Sequence, residues 1–335
     1  MKVFGSVARI SDLIRIPYAV EGIPKSEWGT GDYVECRVTG EPTKLYRIED
    51  TRGDMLPIAP GDTVVGALGE REATLEGVGS WRAVTEGRMD AMTNACLVGR
   101  FTSLSKMLTG ITVKLEYRGH VMRHGKKVRM QDFAMQEVER EYTTPTILLV
   151  GTSMSAGKTT AGKLACKVLS EKGLNVIGAK LTGAGRYRDI LAFKKSGASA
   201  VYDFVDVGLP STVVSEEEFR AAVRPLLSHI QSLEADVVVV EAGASPLEPY
   251  NGAAAIDELN DTICCTILCA SDPYSVVGVQ KAFGLTPDVV SGPATNTSAG
   301  IALVKKLTGV HGINVVDPDS EDEFREFLLA KLGKA

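Results

Sequence analysis

Thr146-Ile-Leu-Leu-Val150, followed directly by Gly151-Thr-Ser-Met-Ser-Ala-Gly157-Lys158-Thr159-Thr160, is the passage that decides the fold of this chain. An apolar run, a glycine-bearing loop and a helix-forming run from Lys158 to Glu171 follow in the order that a phosphate-binding loop requires. In such a loop the backbone N–H groups of Gly151, Thr152, Ser153, Ser155, Ala156 and Gly157, with those of the first helical turn through Thr160, point inward at an anion. The helix dipole favours negative charge at the same place. Lys158 is then placed to reach the terminal phosphates of a nucleotide, and the Thr159 hydroxyl to hold Mg²⁺. The usual G-x-x-x-x-G-K-[ST] spacing wants its first glycine at position 152; here it falls one residue earlier, at Gly151, and Thr152 takes that place. The plainer alternative, a chance Gly-Lys-Thr opening an ordinary helix, leaves the preceding strand unexplained.

Beyond Thr143-Thr-Pro145 strands and helices alternate. The expected strands are 146–150, 175–180, 236–241, 263–270, 288–290 and 313–316; the expected helices are 158–171, 187–196, 216–232, 275–283, 299–307 and 321–331. Continuous apolar runs such as Val237-Val-Val-Val240 suit strands covered on both faces. The fold class is therefore α/β, a mostly parallel P-loop sheet with helices on both faces, occupying 143–335. Ligands of such sheets gather at the carboxyl ends of the strands.

Further candidate residues fall at those ends or in the loops that follow them. Lys180 closes the second strand ahead of Leu181-Thr-Gly-Ala-Gly-Arg-Tyr-Arg-Asp189, where an ammonium can neutralise a transferring phosphoryl group; the alternative is a lysine that only snorkels to solvent. Glu241 closes the run from Val237 and is a candidate metal ligand, because the apolar run makes a solvated role awkward. Asp189 is a candidate second carboxylate, in competition with Asp203 and Asp206. Asn296, after Ser291-Gly-Pro-Ala-Thr295, is placed to meet a base edge, whereas Thr297 favours the N-cap of the next helix.

The first 142 residues have another texture. Short alternating runs at 33–38, 44–48, 63–65, 111–117 and 127–130 are separated by turns at Gly31-Asp32, Arg52-Gly-Asp54, Gly61-Asp62 and Arg118-Gly119. Period-two alternation with frequent turns predicts a smaller β-rich, barrel-like N-terminal domain. Residues 90–107 look helical, with Ala91, Ala95, Leu97 and Leu104 as core contacts. Gly-Asp before a valine-bearing strand occurs at Gly31 and Gly61, which indicates shared turn chemistry.

Composition sets the outer limits. With 335 residues, 44% hydrophobic and 24% charged, the chain is long enough for two packed domains. A net charge of −5 gives no general attraction to nucleic acid or anionic lipid. The basic cluster of Arg118, Arg123, Lys126, Lys127 and Arg129 straddles Gly125, as a solvated hairpin does. No apolar segment follows a basic start and no run approaches a membrane span, so a cytoplasmic protein is expected, with neither nucleic-acid nor membrane partners. Six cysteines without paired C-x-x-C spacing fit reduced thiols, and those in Ile263-Cys-Cys-Thr-Ile-Leu-Cys269 fit a buried strand.

With these residues in view, the chain resembles two families. Gly151-Thr-Ser-Met-Ser-Ala-Gly-Lys-Thr159, Lys180 with Gly183 to Gly185, and Glu241-Ala-Gly-Ala244 are similar to the phosphate loop, lysine loop and E-G-A-G strand end of dethiobiotin synthetase and its SIMIBI-class relatives. Glu241-Ala-Gly-Ala-Ser-Pro-Leu-Glu-Pro249, Ala294-Thr-Asn-Thr297 and Asn314-Val-Val-Asp-Pro318 are similar to segments of a bacterial P-loop group that includes D-glutamate N-acetyltransferase. The first resemblance implies ATP and Mg²⁺ as cofactors, with Thr159, Asp189 and Glu241 as metal ligands. It further implies an enzyme, a ligase or kinase, that activates a small carboxylate or carbamate by phosphoryl transfer. Lys158, Lys180 and Thr182 would be catalytic there, with a small-molecule substrate and homodimers. The second resemblance implies a CoA-dependent N-acyltransferase, and a non-catalytic nucleotide switch is the remaining alternative.

Overall fold

The computed structural model of the chain describes residues 1–40, 47–106, 112–136, 138–243 and 245–334. The chain divides into two compact units. The first holds Met1–Gln136 together with Ala184–Arg188 and Phe204–Ser215, and the second holds the rest. The sequence texture places a boundary after Tyr142; it gives no sign that two later segments join the first unit. They are tied in by an isolated bridge between Ala184 and Ser211, by Ser211 Oγ donating to the Glu70 carbonyl, and by an Arg9–Asp206 ion pair of 2.9 Å. Glu49, fully buried, accepts from the backbone N–H groups of Tyr187 (2.7 Å) and Arg188 (3.1 Å).

The first unit contains β1 (Lys2–Phe4), β2 (Ala19–Glu21), β3 (Tyr33–Thr39), β4 (Arg47–Glu49), β5 (Met55–Pro57) and β6 (Thr63–Leu68). It continues with β7 (Glu70–Ala73), β8 (Gly77–Ser80), β9 (Arg88–Ala91), β10 (Leu97–Leu104), β11 (Val113–Arg123) and β12 (Lys126–Lys127). The order β6-β3-β11-β9-β10 is antiparallel, and a parallel pairing of β10 with β6 returns to the start and closes a barrel. Alternation builds its interior: Val34, Cys36 and Val38 of β3 and Val113 and Leu115 of β11 join one apolar cluster, while Arg37, Lys114 and Glu116 are exposed. The repeated Gly-Asp is one turn used twice. Asp32 accepts from Gly29 N–H and donates its own N–H back to the Gly29 carbonyl, and Asp62 does the same with Ala59. The basic cluster forms the expected hairpin, with Arg123 opposite Lys126 across His124-Gly125.

Several local expectations are corrected. Residues 90–105 form no helix: Asp90 and Ala91 end β9, and Leu97–Leu104 is β10, because their apolar side chains complete the barrel wall. Arg118-Gly119 is not a turn but a register shift inside β11. Of the expected run 127–130, only Lys127 is in a strand, ending β12, and Met130 opens a 3-10 turn at Met130–Phe133. The expected positions 44–46, 107, 111 and 244 lie outside the described residues.

The second unit contains β13 (Thr146–Gly151), α1 (Lys158–Ser170), β14 (Val176–Thr182), α2 (Tyr187–Lys195, whose first two residues belong to the first unit), β15 (Ala200–Asp203), α3 (Glu216–Ser232) and β16 (Val237–Ala242). Then come α4 (Gly252–Leu259), β17 (Ile263–Cys269), α5 (Pro273–Phe283), β18 (Val289–Ser291), α6 (Ser298–Thr308), β19 (His311–Gly312) and α7 (Glu321–Lys331). The seven strands run parallel in the order β15-β14-β16-β13-β17-β18-β19. Ile147, Leu149, Val237, Val239, Cys265 and Ile267 pack with Ala161 and Ala165 of α1 and Phe324 and Leu328 of α7. The alternate residues Leu148, Val238 and Val240 are equally buried, with α4 against β14 and β16. This is the expected sheet with helices on both faces. The expected strand at 313–316 sits instead at His311–Gly312, and β15 and α4 are additions to the expected elements. Among the described residues no helix is long and apolar enough to cross a membrane.

Candidate functional site: the loop after β13

Strand register assembles the site. Leu149 of β13 pairs with Glu241 of β16, Lys180 of β14 pairs with both Glu241 and Asp203, and Gly151 pairs with Cys269 of β17. The carboxyl ends of five strands are thereby aligned around the segment from Thr152 to Gly157, with β18 next to β17 through Cys269 and Ser291.

That segment turns sharply. Ser155 has φ 61° and Gly157 φ 101°, and Gly157 is the N-cap of α1. A side chain at Gly157 would be strained by its φ alone, so glycine here is a backbone requirement. Gly292 presses from the other side: a Cβ there would come 2.3 Å from the Ala156 carbonyl oxygen. Thr152 anchors the entrance, donating its N–H to the Cys269 carbonyl (3.0 Å) and accepting at Oγ1 from Ser271 N–H (3.1 Å). Among the described residues, the amides of Ser155, Ala156 and Gly157 find no acceptor. Unspent N–H groups beside a helix N-terminus form an anion cradle. Ser153 Oγ turns back to the Met154 carbonyl, and Thr160 is exposed in the first turn of α1.

Two buried lysines meet there. Lys158, 5% exposed, donates Nζ to the Ser153 carbonyl at 2.9 Å and so folds back over the loop. Burial pulls its pKa below the usual lysine value; Glu241 partly offsets this and Lys180 adds to it. Lys180, 6% exposed, pairs with Asp189 at 2.5 Å. Burial pulls Lys180 down too, but Asp189, Glu241 and Asp203 outweigh it and leave its pKa raised. Lys180 is thus firmly cationic, whereas Lys158 is a strained cation suited to an incoming anion.

The Thr159 hydroxyl donates to Glu241 Oε2 at 3.0 Å, and Glu241 is 4% exposed. A hydroxyl beside a carboxylate is a donor pair of hard oxygens that fits Mg²⁺ completed by phosphate and water. Asp189 is held by Lys180 and not by Thr159, and no group of three or more His, Cys, Asp or Glu placed to hold a metal occurs among the described residues. Thr182 is fully buried, its hydroxyl donating to the Gly243 carbonyl at 3.1 Å, so it ties two strand ends together. Asn296 is exposed; its carbonyl accepts from Asn314 Nδ2 at 3.5 Å. Thr297 caps α6, as its sequence context indicates, by accepting from Gly300 N–H. Sequence reasoning misses Gly292 and Cys269. Nothing in one sequence marks a residue that touches the loop only through the fold.

No family model matches the chain, and no curated protein matches it. Among solved structures it is similar to chloroplast FtsY from Physcomitrella patens (15% identity over 58% of this chain and 69% of that one, TM-score 0.37). It is likewise similar to HypB from Helicobacter pylori in complex with nickel (19% identity, 58% and 89%, TM-score 0.38). A third is the signal recognition particle 54 kDa protein from Aeropyrum pernix K1 in complex with GDP (18% identity, 58% and 48%, TM-score 0.36). The P-loop arrangement itself rests on the strand order and loop geometry above.

Proposed function

We propose that this chain binds a nucleoside triphosphate, ATP in the first instance, and transfers its terminal phosphoryl group to a small carboxylate or carbamate. The observation that carries the reading is the convergence of Lys158, Lys180 and the Thr159–Glu241 pair at the loop's mouth. Lys158, whose burial its neighbours do not offset, stands beside unspent amides at a helix N-terminus, and that combination favours a bound phosphate chain.

The residues would divide the work as follows. Amides from Ser155 to Thr159 hold the phosphates, and Lys158 leaves the Ser153 carbonyl to follow the charge at the terminal group. Lys180 remains protonated and attracts the acceptor carboxylate, with Asp189 fixing where its Nζ stands. Thr159 and Glu241 would hold Mg²⁺, which when bound would supply charge neutralisation to the nucleotide. The acceptor oxygen forms a bond to the terminal phosphorus as the bridging P–O bond breaks, giving an acyl phosphate and a nucleoside diphosphate. Positioning and electrostatics suffice for such a transfer, without a covalent protein intermediate.

The test is transfer of label from γ-labelled ATP to a panel of small carboxylates and carbamates with Mg²⁺ present. Acceptor-dependent transfer that is lost in Lys180→Met supports the proposal. Hydrolysis indifferent to every acceptor would point to a switch. Thermal stabilisation by acetyl-CoA but not by nucleotides would point to acyl transfer.

A further inference from the structure

The N-terminal unit carries a concavity that the phosphate loop does not use. It is an open cavity of about 420 Å³, edged by Leu13 to Tyr18, a segment without helix or strand. Among its lining residues Lys2, itself exposed, places Nζ 2.6 Å from Glu35 Oε2 and 4.6 Å from the centre of the Tyr18 ring. Its rim is apolar, with Ile14 58% and Ile16 46% exposed on either side of Arg15. Arg15 is exposed, and its guanidinium makes no ion pair among the described residues.

Each feature narrows the ligand. Large exposed aliphatic side chains around a cavity favour a partner with an apolar body. Lys2 and Arg15 against Glu35, the one acid lining the cavity, leave a positive charge unmatched. Burial raises the Tyr18 pKa, with Lys2 acting in the opposite sense, so the phenol stays a neutral donor. A cationic ligand would meet Arg15, and a wholly polar anion would leave the isoleucines wet.

We infer that this cavity binds a small monocarboxylate with an aliphatic or aromatic body, its carboxylate toward Arg15 and Lys2 and its body against Ile14 and Ile16. None of the residues lining the cavity belongs to the loop after β13.

Calorimetric titration of the full chain with octanoate and phenylbutyrate tests this, with phenylbutyramide and phenylbutylamine as matched neutral and cationic probes. The carboxylates should bind and the amine should not. Arg15→Glu should weaken carboxylate binding at least about tenfold, as loss of a charge-assisted contact does, with Arg15→Lys restoring much of it. Ile16→Asp should weaken it by a similar factor, with circular dichroism unchanged because both positions are exposed. Lys158→Met should bind the carboxylates as the parent does. No carboxylate binding, equal binding of the amine, or binding indifferent to Arg15→Glu would overturn the inference.

Discussion

Thr159 and Glu241 stand 82 residues apart in the chain and are joined by one 3.0 Å hydrogen bond from Oγ1 to Oε2. The bond is made possible by β13 and β16 lying side by side, which sets Glu241 opposite Leu149, three residues before Thr152 opens the loop. Thr159→Ala removes the donor and leaves a buried carboxylate with one partner fewer. A loss of about 1–2 kcal/mol in urea unfolding is expected. Nucleotide affinity should fall about tenfold with Mg²⁺ present and change little in its absence. Equal losses with and without Mg²⁺ would show that the pair has no part in holding the metal.

Lys158 is the residue where function and stability part company. Its folded pKa lies below the ordinary value of 10.5, so the unfolded chain binds that proton more tightly. Its ionised form therefore weakens the fold at neutral pH, and this penalty fades as pH rises through the lowered value toward 10.5. Lys158→Met should unfold within about 3 °C of the parent or above it. Nucleotide affinity should fall about a hundredfold, measured by calorimetry on the same samples.

Lys180 has the opposite sign. Its folded pKa is raised above 10.5, so its contribution is complete below the unfolded value and is lost as pH climbs through the folded one. Asp189→Asn should cost about 2 kcal/mol, less than a fully buried pair because the Asp189 side chain keeps 20% of its exposure. Denaturant titrations should show that cost constant around neutrality and shrinking only above pH 10.5.

Gly292 lies more than a hundred residues beyond the loop yet shapes it. Its φ is 87°, and a Cβ at this position would sit only 2.3 Å from the Ala156 oxygen, which leaves no room for alanine. Gly292→Ala should destabilise by about 2 kcal/mol or more and reduce nucleotide affinity. Gly309→Ala, which shares a positive φ of 73° but meets nothing within 4 Å, should carry the strain without the loss of affinity.

The second half of the chain is legible because its signals are local. The β-branched run Val237-Val-Val-Val240 suits a strand covered on both faces, and Gly157-Lys158 at the start of an amphipathic run marks a helix N-terminus. The barrel is legible only as a class. Leu97–Leu104 carries apolar residues at spacings that a helix also satisfies, and pairing with β6, β8 and β9 settles it. Such long-range partners leave no local trace. The same holds for Ala184–Arg188 and Phe204–Ser215, whose place in the first unit depends on Glu49 and Arg9 far upstream. Within the site, the loop, Lys180 and Glu241 can be read from sequence, whereas the Lys180–Asp189 pairing, which takes Asp189 toward an ammonium, emerges only in the folded chain.

The most direct measurement is a crystal structure with Mg²⁺ and a non-hydrolysable ATP analogue. The expected map has the outer phosphates within hydrogen-bond reach of the amides from Ser155 to Thr159, with Lys158 Nζ moved from the Ser153 carbonyl to a phosphate oxygen. A map with the analogue bound elsewhere, or with Lys158 still on Ser153 at saturating analogue, would contradict the assignment of this loop.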